Sequence, residues 1–221
     1  MTLSKEQCRE IIARRIAQEF KEGDVITLGI GLPTEVANYI PPHLHVIFQS
    51  ENGLLGVGHQ DKTPQSKPKI INAGGVPVMT KPGASFFDTA MSFTIMRGGH
   101  VDATVLGALQ VDAQGNLASW MIPGAFVPGM GGAMDLVVGA KKVIIAMEHT
   151  NKGEPRIVQK CTLPLTAVHE VDLIVTERCV LEVTEQGLLL KEINPHFTVE
   201  DIIASTGAEL IIPPELIAIA V

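Results

Sequence analysis

The chain has 221 residues, 46% of them hydrophobic and 19% charged, which is enough apolar material for a substantial core and excludes intrinsic disorder. Its formal net charge is −7 and no long basic run is present, so the electrostatic signature of a nucleic-acid-binding protein is missing. We therefore expect one folded domain spanning residues 1–221, without a nucleic-acid partner.

No segment of the sequence suggests a membrane span. The longest apolar and glycine-rich run, residues 124–140, is interrupted by Asp135, whereas a spanning helix needs about 18 uninterrupted apolar residues. The first 20 residues alternate charged and apolar side chains at helical spacing, unlike a signal peptide. The three cysteines, Cys8, Cys161 and Cys179, form no C-x-x-C pair and predict reduced, packed thiols. These features predict a cytoplasmic protein with no membrane contact.

The first predicted element is a helix with clear end signals. Ser4 and Gln7 have the spacing of a capping box, Gly23 is the expected stop, and the apolar stripe consists of Cys8, Ile12, Ile16 and Phe20. A buried strand is predicted at residues 25–30, followed by a glycine turn and a short helix at 35–39. A second strand, residues 46–49, ends directly before Ser-Glu-Asn-Gly, and residues 59–69 are predicted to form an exposed loop.

Further along the chain, helices and strands alternate. Asp88 predicts the cap of a helix that runs to Arg97, another helix is expected beyond Gly132 and through residue 138, and Thr198 with Asp201 opens the last one. Strands are predicted at residues 104–109, 142–147 and 173–176 and on both sides of a turn at 185–187, with a further turn at 112–116. The mixture predicts an α/β fold. The apolar tail, residues 210–221, is expected to dock on this subunit or on a partner.

Glycine-rich turns raise the question of a nucleotide site, and their spacing argues against one. Residues 29–34 follow a strand but place Thr34 where a dinucleotide fingerprint needs its third glycine, and Pro33 lacks the amide that would face a pyrophosphate. Gly132 and Gly139 are too far apart for a Walker loop. The glycines are therefore either tight turns or part of another kind of site.

Metal and serine chemistry are not indicated either. His43 and His45 form the only close histidine pair in the sequence, but no cysteine or acidic cluster accompanies them. Ser50, Ser85 and Ser119 all lie outside a G-x-S-x-G elbow. We therefore predict neither a metal site nor a serine nucleophile.

Glu51 is the remaining candidate for chemistry. It stands at the end of a predicted buried strand, directly before Asn52 and Gly53. A lone carboxylate in that position is either solvated or placed for nucleophilic attack, and the sequence pattern leaves both options open.

The segment FQSENGLLGVG, residues 48–58, resembles the active-site signature of the family I coenzyme A transferases, in which the glutamate of Ser-Glu-Asn-Gly is the nucleophile. Further segments resemble the family's β subunits in the same order, at residues 71–74, 82–88, 95–100, 123–124, 129–136, 147–149 and 161–166. The resemblance therefore extends over nearly the whole chain. It is strongest for the β subunits of the acetate/butyrate–acetoacetate group.

The resemblance implies the coenzyme A transferase type of α/β fold, with a mixed or parallel sheet flanked by helices in a single domain. It also implies that Glu51 attacks a short-chain acyl-CoA, such as acetoacetyl-, butyryl- or acetyl-CoA. The resulting glutamyl-CoA thioester is then passed to a carboxylate such as acetate or acetoacetate. Gly132 corresponds to the family's backbone N–H donor to the oxyanion. Coenzyme A is a substrate, so no cofactor is expected, and the implied partner is an α subunit in an α2β2 assembly.

Five further residues are implied around the nucleophile. Gly31, Met130 and Gly131 are expected to shape the acyl pocket, whereas Gln49 and Asn52 either orient the carboxylate or only complete hydrogen bonds at the strand end. Two other functions stay open. The same glutamate would serve an acyl-CoA hydrolase if water intercepted the thioester, and a non-catalytic subunit would only bind acyl-CoA.

Overall fold

The fold combines short helices with a large sheet, as seen in a computed structural model that describes residues 3–62, 70–125, 127 and 129–220. In these ranges the α-helices are α1 (Lys5–Ala17), α2 (Leu32–Glu35), α3 (Thr89–Arg97), α4 (Ala133–Gly139) and α5 (Val199–Ser205). The strands are β1 (Val25–Leu28), β2 (Ile47–Ser50), β3 (Leu54–Gln60), β4 (Val78–Phe86), β5 (Ala103–Leu106), β6 (Gln110–Asp112), β7 (Leu117–Ala118), β8 (Val143–Ala146), β9 (Thr150–Asn151), β10 (Glu154–Pro155), β11 (Ile157–Val158), β12 (Leu173–Val175), β13 (Cys179–Thr184), β14 (Gly187–Ile193), β15 (Leu210–Ile211) and β16 (Ile217–Ala218).

One mixed sheet carries most of these strands, in the order β15-β14-β13-β12-β8-β5-β1-β2-β3-β4, with β16 also paired to β14. The central strands β12, β8, β5, β1 and β2 are parallel. Antiparallel pairs extend the sheet at both ends, through β3 and β4 and through β13 and β14. Every residue of β5 and β8 is buried, as expected for parallel strands that are covered on both faces. The predicted α/β class, a mixed sheet flanked by helices, is confirmed.

Helices cover both faces of the sheet. Alternate residues of each strand point to opposite faces, so each face presents apolar side chains on which a helix can pack. Ile144 of β8 belongs to the same apolar cluster as Ile12 and Ile16 of α1. The next residue, Ile145, belongs to a second cluster that includes Met96 of α3 and Leu136 of α4. Each such side chain contributes roughly 1.5–3 kcal/mol when it leaves water, so the two clusters hold α1 on one face and α3 and α4 on the other.

Helix α1 begins as the sequence predicts and ends earlier. Ser4 and Gln7 form the predicted capping box. The helix stops at Ala17, well before Gly23, where the prediction had placed its end. Phe20 is nevertheless buried. The apolar stripe therefore predicted the burial of Ile12, Ile16 and Phe20 correctly, whereas Cys8 is only partly buried and the length of the helix was wrong.

Other predicted boundaries were also wrong. The first strand stops at Leu28 rather than at residue 30, and the next helix starts earlier, at Leu32, before tightening into the 3-10 turn Val36–Tyr39. The loop predicted at 59–69 was wrong at its start, because β3 continues to Gln60 and pairs with β4, a strand that the sequence did not predict. Residues 63–69 lie outside the described residues. Gly58 allows the backbone of β4 to approach closely and interrupts the apolar alternation that would have marked a strand.

The apolar tail is only partly docked on this chain. β16 pairs in parallel with β14, and Ile219 is buried in the cluster that contains the α1 residues. Ile211, Ile212 and Ile217 stay exposed, and residue 221 lies outside the described residues. Within the described ranges, none of the helices has the length and apolar character required to cross a bilayer. The cytoplasmic location stays a prediction.

Candidate active site

Glu51 lies in the tight turn that joins β2 to β3. The N–H of Gly53 donates to the carbonyl of Ser50 at 3.0 Å and closes the turn, with Glu51 and Asn52 at its two central positions. Gly53 has φ +105°, and a side chain there would overlap the carbonyl oxygen of Phe87. Glycine therefore allows the chain to reverse directly after Glu51. The turn places this carboxylate at the carboxyl edge of the parallel strands, where α/β sheets commonly bind ligands.

Two glycines before α4 meet the Glu51 carboxylate. The backbone N–H of Gly132 acts as a hydrogen-bond donor that lowers the pKa of this carboxyl. A methyl group at Gly132 would overlap Glu51 Oε2, and one at Gly131 would lie 3.9 Å from Oε1. Both positions bring bare backbone against the carboxylate, and at residue 132 only glycine leaves room for the contact.

The surroundings of Glu51 raise its pKa above the ordinary glutamate value. Partial burial is the largest cause, because it disfavours the charged form, and the negative charge of Asp135 acts in the same direction. The hydrogen bond from Gly132 opposes both by stabilising the carboxylate. A perturbed carboxylate at the edge of a sheet, next to a specific charge, is a candidate for chemistry.

Helix α3 supplies groups that sequence reasoning missed. Arg97 Nε donates to Asp135 Oδ1 at 2.6 Å, and the guanidinium lies 5.6 Å from the centroid of Phe93. Phe93 Cζ would be 3.1 Å from a methyl group at Gly132. Arg97 and Asp135 lie in segments of the family resemblance, but their contact forms only when α3 and α4 pack together.

A loop of residues 71–76 is fastened on both sides of the nucleophile candidate. The hydroxyl of Ser50 accepts from the N–H of Ala73 at 2.8 Å. The side-chain amide of Asn52 donates to the carbonyl of Ile71 at 2.9 Å. The observed hydrogen bond of the Asn52 amide therefore holds this loop at the end of β2 and is not directed at the Glu51 carboxylate.

Gln49 lies on β2, two residues before Glu51, and is buried. Its Nε2 donates to the carbonyl and the hydroxyl of Ser92 at 3.3 and 3.2 Å. Its Oε1 is buried without a hydrogen-bond partner within the described residues. The side chain thus anchors β2 to α3 beneath the site.

Gly31 and Met130 make hydrogen bonds within their own loops. Gly31 follows β1 with φ +87° and accepts from the N–H of Thr34 at 3.2 Å. The carbonyl of Met130 accepts from the N–H of Ala133 at 3.2 Å. Their assignment to an acyl pocket stays a prediction. In the part of the chain that the structure describes, no group of three or more His, Cys, Asp or Glu side chains could hold a metal ion.

Comparisons with known proteins agree on one family. Residues 9–205 match the family model described as coenzyme A transferase. The chain is 55% identical to the acetate CoA-transferase subunit beta of Haemophilus influenzae, over 92% of both sequences. It is 51% identical to the protein of the same name from Escherichia coli K12, over 94% of this chain and 95% of that protein.

The comparison with solved structures shows the fold. The acyl-CoA transferase YdiF of Escherichia coli O157:H7 matches 100% of this chain, with a TM-score of 0.77 and 23% sequence identity. This chain spans 45% of the length of that protein. The coenzyme A transferase type of fold is thereby confirmed.

Proposed function

This chain belongs to the coenzyme A transferase family, as a CoA-transferase subunit of the β type, and we propose that Glu51 is the nucleophile of the transfer. The observation that carries the proposal is the close approach of the Gly132 backbone to the Glu51 carboxylate: a methyl group at residue 132 would overlap Oε2, and the Gly132 N–H lowers the pKa of the carboxyl. This contact joins a half-buried carboxylate to a backbone donor, and acyl transfer through a glutamate needs both groups.

In the first step, an oxygen of Glu51 attacks the carbonyl carbon of an acyl-CoA. The carbonyl electron pair moves to oxygen, and on its return the C–S bond breaks. Coenzyme A leaves as a thiolate, and an acyl-glutamyl anhydride remains on the enzyme. A carboxylate carries no proton to remove, so this step needs no general base.

In the second step, the thiolate attacks Cδ of Glu51. The bond from Cδ to the bridging oxygen of the anhydride breaks, the original acyl group departs as a free carboxylate, and a glutamyl-CoA thioester remains. A second carboxylate attacks the same Cδ, and the two steps then run in reverse with the new acyl group. The energy of the thioester is conserved throughout, so neither ATP nor a metal is required. Coenzyme A serves as a substrate.

Gly132 has its largest effect in the second step. The negative charge of that tetrahedral intermediate develops on an oxygen of Glu51, and the Gly132 backbone already lies against the resting carboxylate. A donor that is in place before the charge develops needs no reorganisation. Loss of one such donor typically costs about 10² to 10³ in rate.

The proposed substrates are short-chain acyl-CoAs, namely acetoacetyl-, butyryl- or acetyl-CoA, and a free carboxylate such as acetate or acetoacetate. The names of the relatives from Haemophilus influenzae and Escherichia coli K12, both acetate CoA-transferase subunits, support this choice. The order among these acids depends on the acyl pocket, where one methylene changes binding by about 1 to 3 kcal/mol.

The proposed partner is an α subunit, in an α2β2 assembly. The relatives' designation as subunit beta supports it, as does the greater length of the structurally similar YdiF. Exposed apolar side chains on the two helices beside Glu51 provide a surface for such a partner: Met91 on α3, and Met134 and Val138 on α4.

Mass spectrometry of the chain, co-expressed with its α partner, tests the nucleophile. The complex is incubated with acetoacetyl-CoA in the absence of an acceptor acid, and peptides are mapped. We expect a coenzyme A adduct on the Glu51 peptide of the wild type and none in Glu51→Gln. Glu182→Gln is the matched control, because it replaces a glutamate of β13 that is paired with Lys191 at 2.8 Å. The coenzyme A adduct on Glu51 should persist in this variant.

Other outcomes distinguish the alternatives. Transfer that survives in Glu51→Gln, or an adduct on another residue, contradicts the proposal. Steady release of coenzyme A without an acceptor, dependent on Glu51, would indicate a hydrolase. Binding of acyl-CoA with neither adduct nor turnover would indicate a non-catalytic subunit.

A further inference from the structure

We propose that Arg97 and Asp135 form a positioning pair for the nucleophile, in which Asp135 presents its charge to Glu51 and Arg97 neutralises that charge. The inference rests on the proposed role of Glu51 and assigns a function to two residues of the neighbouring helices. Both residues act on the reaction through Glu51.

The pair bridges the two helices beside the site. Arg97 is the last residue of α3, Asp135 is the third residue of α4, and the Nε–Oδ1 distance is 2.6 Å. The helices are in close contact, since a methyl group at Gly139 would overlap the carbonyl of Met96. The ion pair therefore sits on a tightly packed helix contact, within one helical turn of the Gly132 donor.

The charged groups around Glu51 come from few elements. On α4 the charge is Asp135, which lies in the first turn after Gly132, the residue whose backbone meets the Glu51 carboxylate; this charge raises the pKa of Glu51. Helix α3 carries Arg97, which is bonded to Asp135, and follows Asp88, whose carboxylate is engaged in capping the first turn of the helix. The loop 71–76 contains no charged residue, and the titratable residue of β3, His59, lies near the far end of that strand.

Removal of each partner has an opposite electrostatic effect. Without the Arg97 guanidinium, the full negative charge of Asp135 faces Glu51 and favours its protonated, unreactive form. Without the Asp135 carboxylate, that repulsion disappears and Glu51 ionises more easily. A purely structural role predicts no such opposition, because either change breaks the same Nε–Oδ1 bond.

The experiment is the pH profile of kcat/KM for acetoacetyl-CoA, measured on the complex with the α partner. We expect the acidic limb to move to higher pH in Arg97→Gln and to lower pH in Asp135→Asn, each by about 0.2 to 0.7 of a pH unit for a partly exposed pair. Arg97→Lys should restore the wild-type limb, because it keeps the charge. Lys141→Gln is the matched control, since it breaks an ion pair of similar exposure, with Asp102 at 2.7 Å, and should leave the limb unchanged.

The outcomes separate this inference from the proposed function. Opposite shifts of the two limbs support the pair. Shifts in the same direction, or equal losses of rate at an unchanged limb, overturn it. Peptide mapping of the glutamyl-CoA adduct in the same preparations tests Glu51 independently. If the wild type forms no adduct, the proposed function is contradicted. If the adduct forms but the acidic limbs of the wild type and both variants coincide, only the role of Arg97 and Asp135 is contradicted. Thermal unfolding of each variant identifies any loss that comes from misfolding.

Discussion

Replacement of Gly132 with alanine separates the geometry of the nucleophile from the stability of the fold. Gly132 has φ −84°, outside the left-handed region, so alanine can adopt its backbone conformation. The added methyl group would overlap Glu51 Oε2 and lie 3.1 Å from Phe93 Cζ. The carboxylate is the end of a flexible side chain and must move by about 1 Å, a displacement that can cost about 10²-fold in rate.

The assay is steady-state CoA transfer by the complex with the α partner, with thermal unfolding of the same samples. We expect kcat of Gly132→Ala to fall about 10²-fold. Tm should change by at most about 2–4 °C, the shift that 1 kcal/mol produces in a protein of this size. Gly107→Ala is the matched control, because its methyl group would meet only the Ala146 carbonyl, at 4.0 Å, and it should keep its activity. Full activity of Gly132→Ala would refute the close contact with Glu51, and an unfolded variant would refute the tolerance of the backbone.

Three further predictions concern stability and thiol reactivity. Gly53→Ala should lower Tm more than Gly83→Ala, because both residues have a left-handed φ, +105° and +84°, but only at residue 53 would a methyl group overlap a backbone carbonyl. Burial lowers the pKa of His149 from 6.5 to about 3, so its neutral form contributes stability above pH 6.5 that is lost as pH falls towards 3. Urea unfolding should therefore show that the free energy of unfolding falls more between pH 7 and pH 4.5 for the wild type than for His149→Gln. Burial raises the pKa of the Cys161 and Cys179 thiols to about 12, so a thiol reagent at pH 8 should modify them far more slowly in the folded than in the denatured chain.

Each of these predictions has a clear contrary result. Equal changes of Tm in the two glycine variants would mean that the carbonyl contact at residue 53 adds nothing to the backbone strain. A pH-dependent loss that is the same with and without His149 would assign that loss to other groups. Thiol modification at the denatured rate would mean that the cysteines are accessible in the folded chain.

Helix starts could be predicted from the sequence because capping is local. The box of Ser4 with Gln7 and the caps at Asp88 and Thr198 each involve residues within one turn of the helix. The hairpin of β3 and β4 could not be predicted in this way. Strand β4 is mostly exposed and contains Pro82, so it lacks an apolar alternation, and its pairing depends on contacts with a distant part of the chain.

In the candidate site, too, some features could be predicted from the sequence and others depend on long-range contacts. The resemblance indicated Glu51 and Gly132, and the structure places them in contact. The bond between Arg97 and Asp135 joins residues that are 38 positions apart, and neither has a local pattern that reveals its partner. Gln49 was expected either to orient the carboxylate or to complete hydrogen bonds at the strand end; its hydrogen bonds to Ser92 of α3 follow from packing across the sheet face.

Glu51, its backbone donor and the Arg97–Asp135 pair all come from one polypeptide, which spans 45% of the length of the similar YdiF. The covalent chemistry proposed for this family member is therefore encoded by a single gene segment. Fusion of that segment to its partner through a linker would raise the effective concentration of the partner, while the distances around the nucleophile would stay as they are. The residues proposed for the covalent steps would therefore not need to change if this chain were joined to its proposed partner.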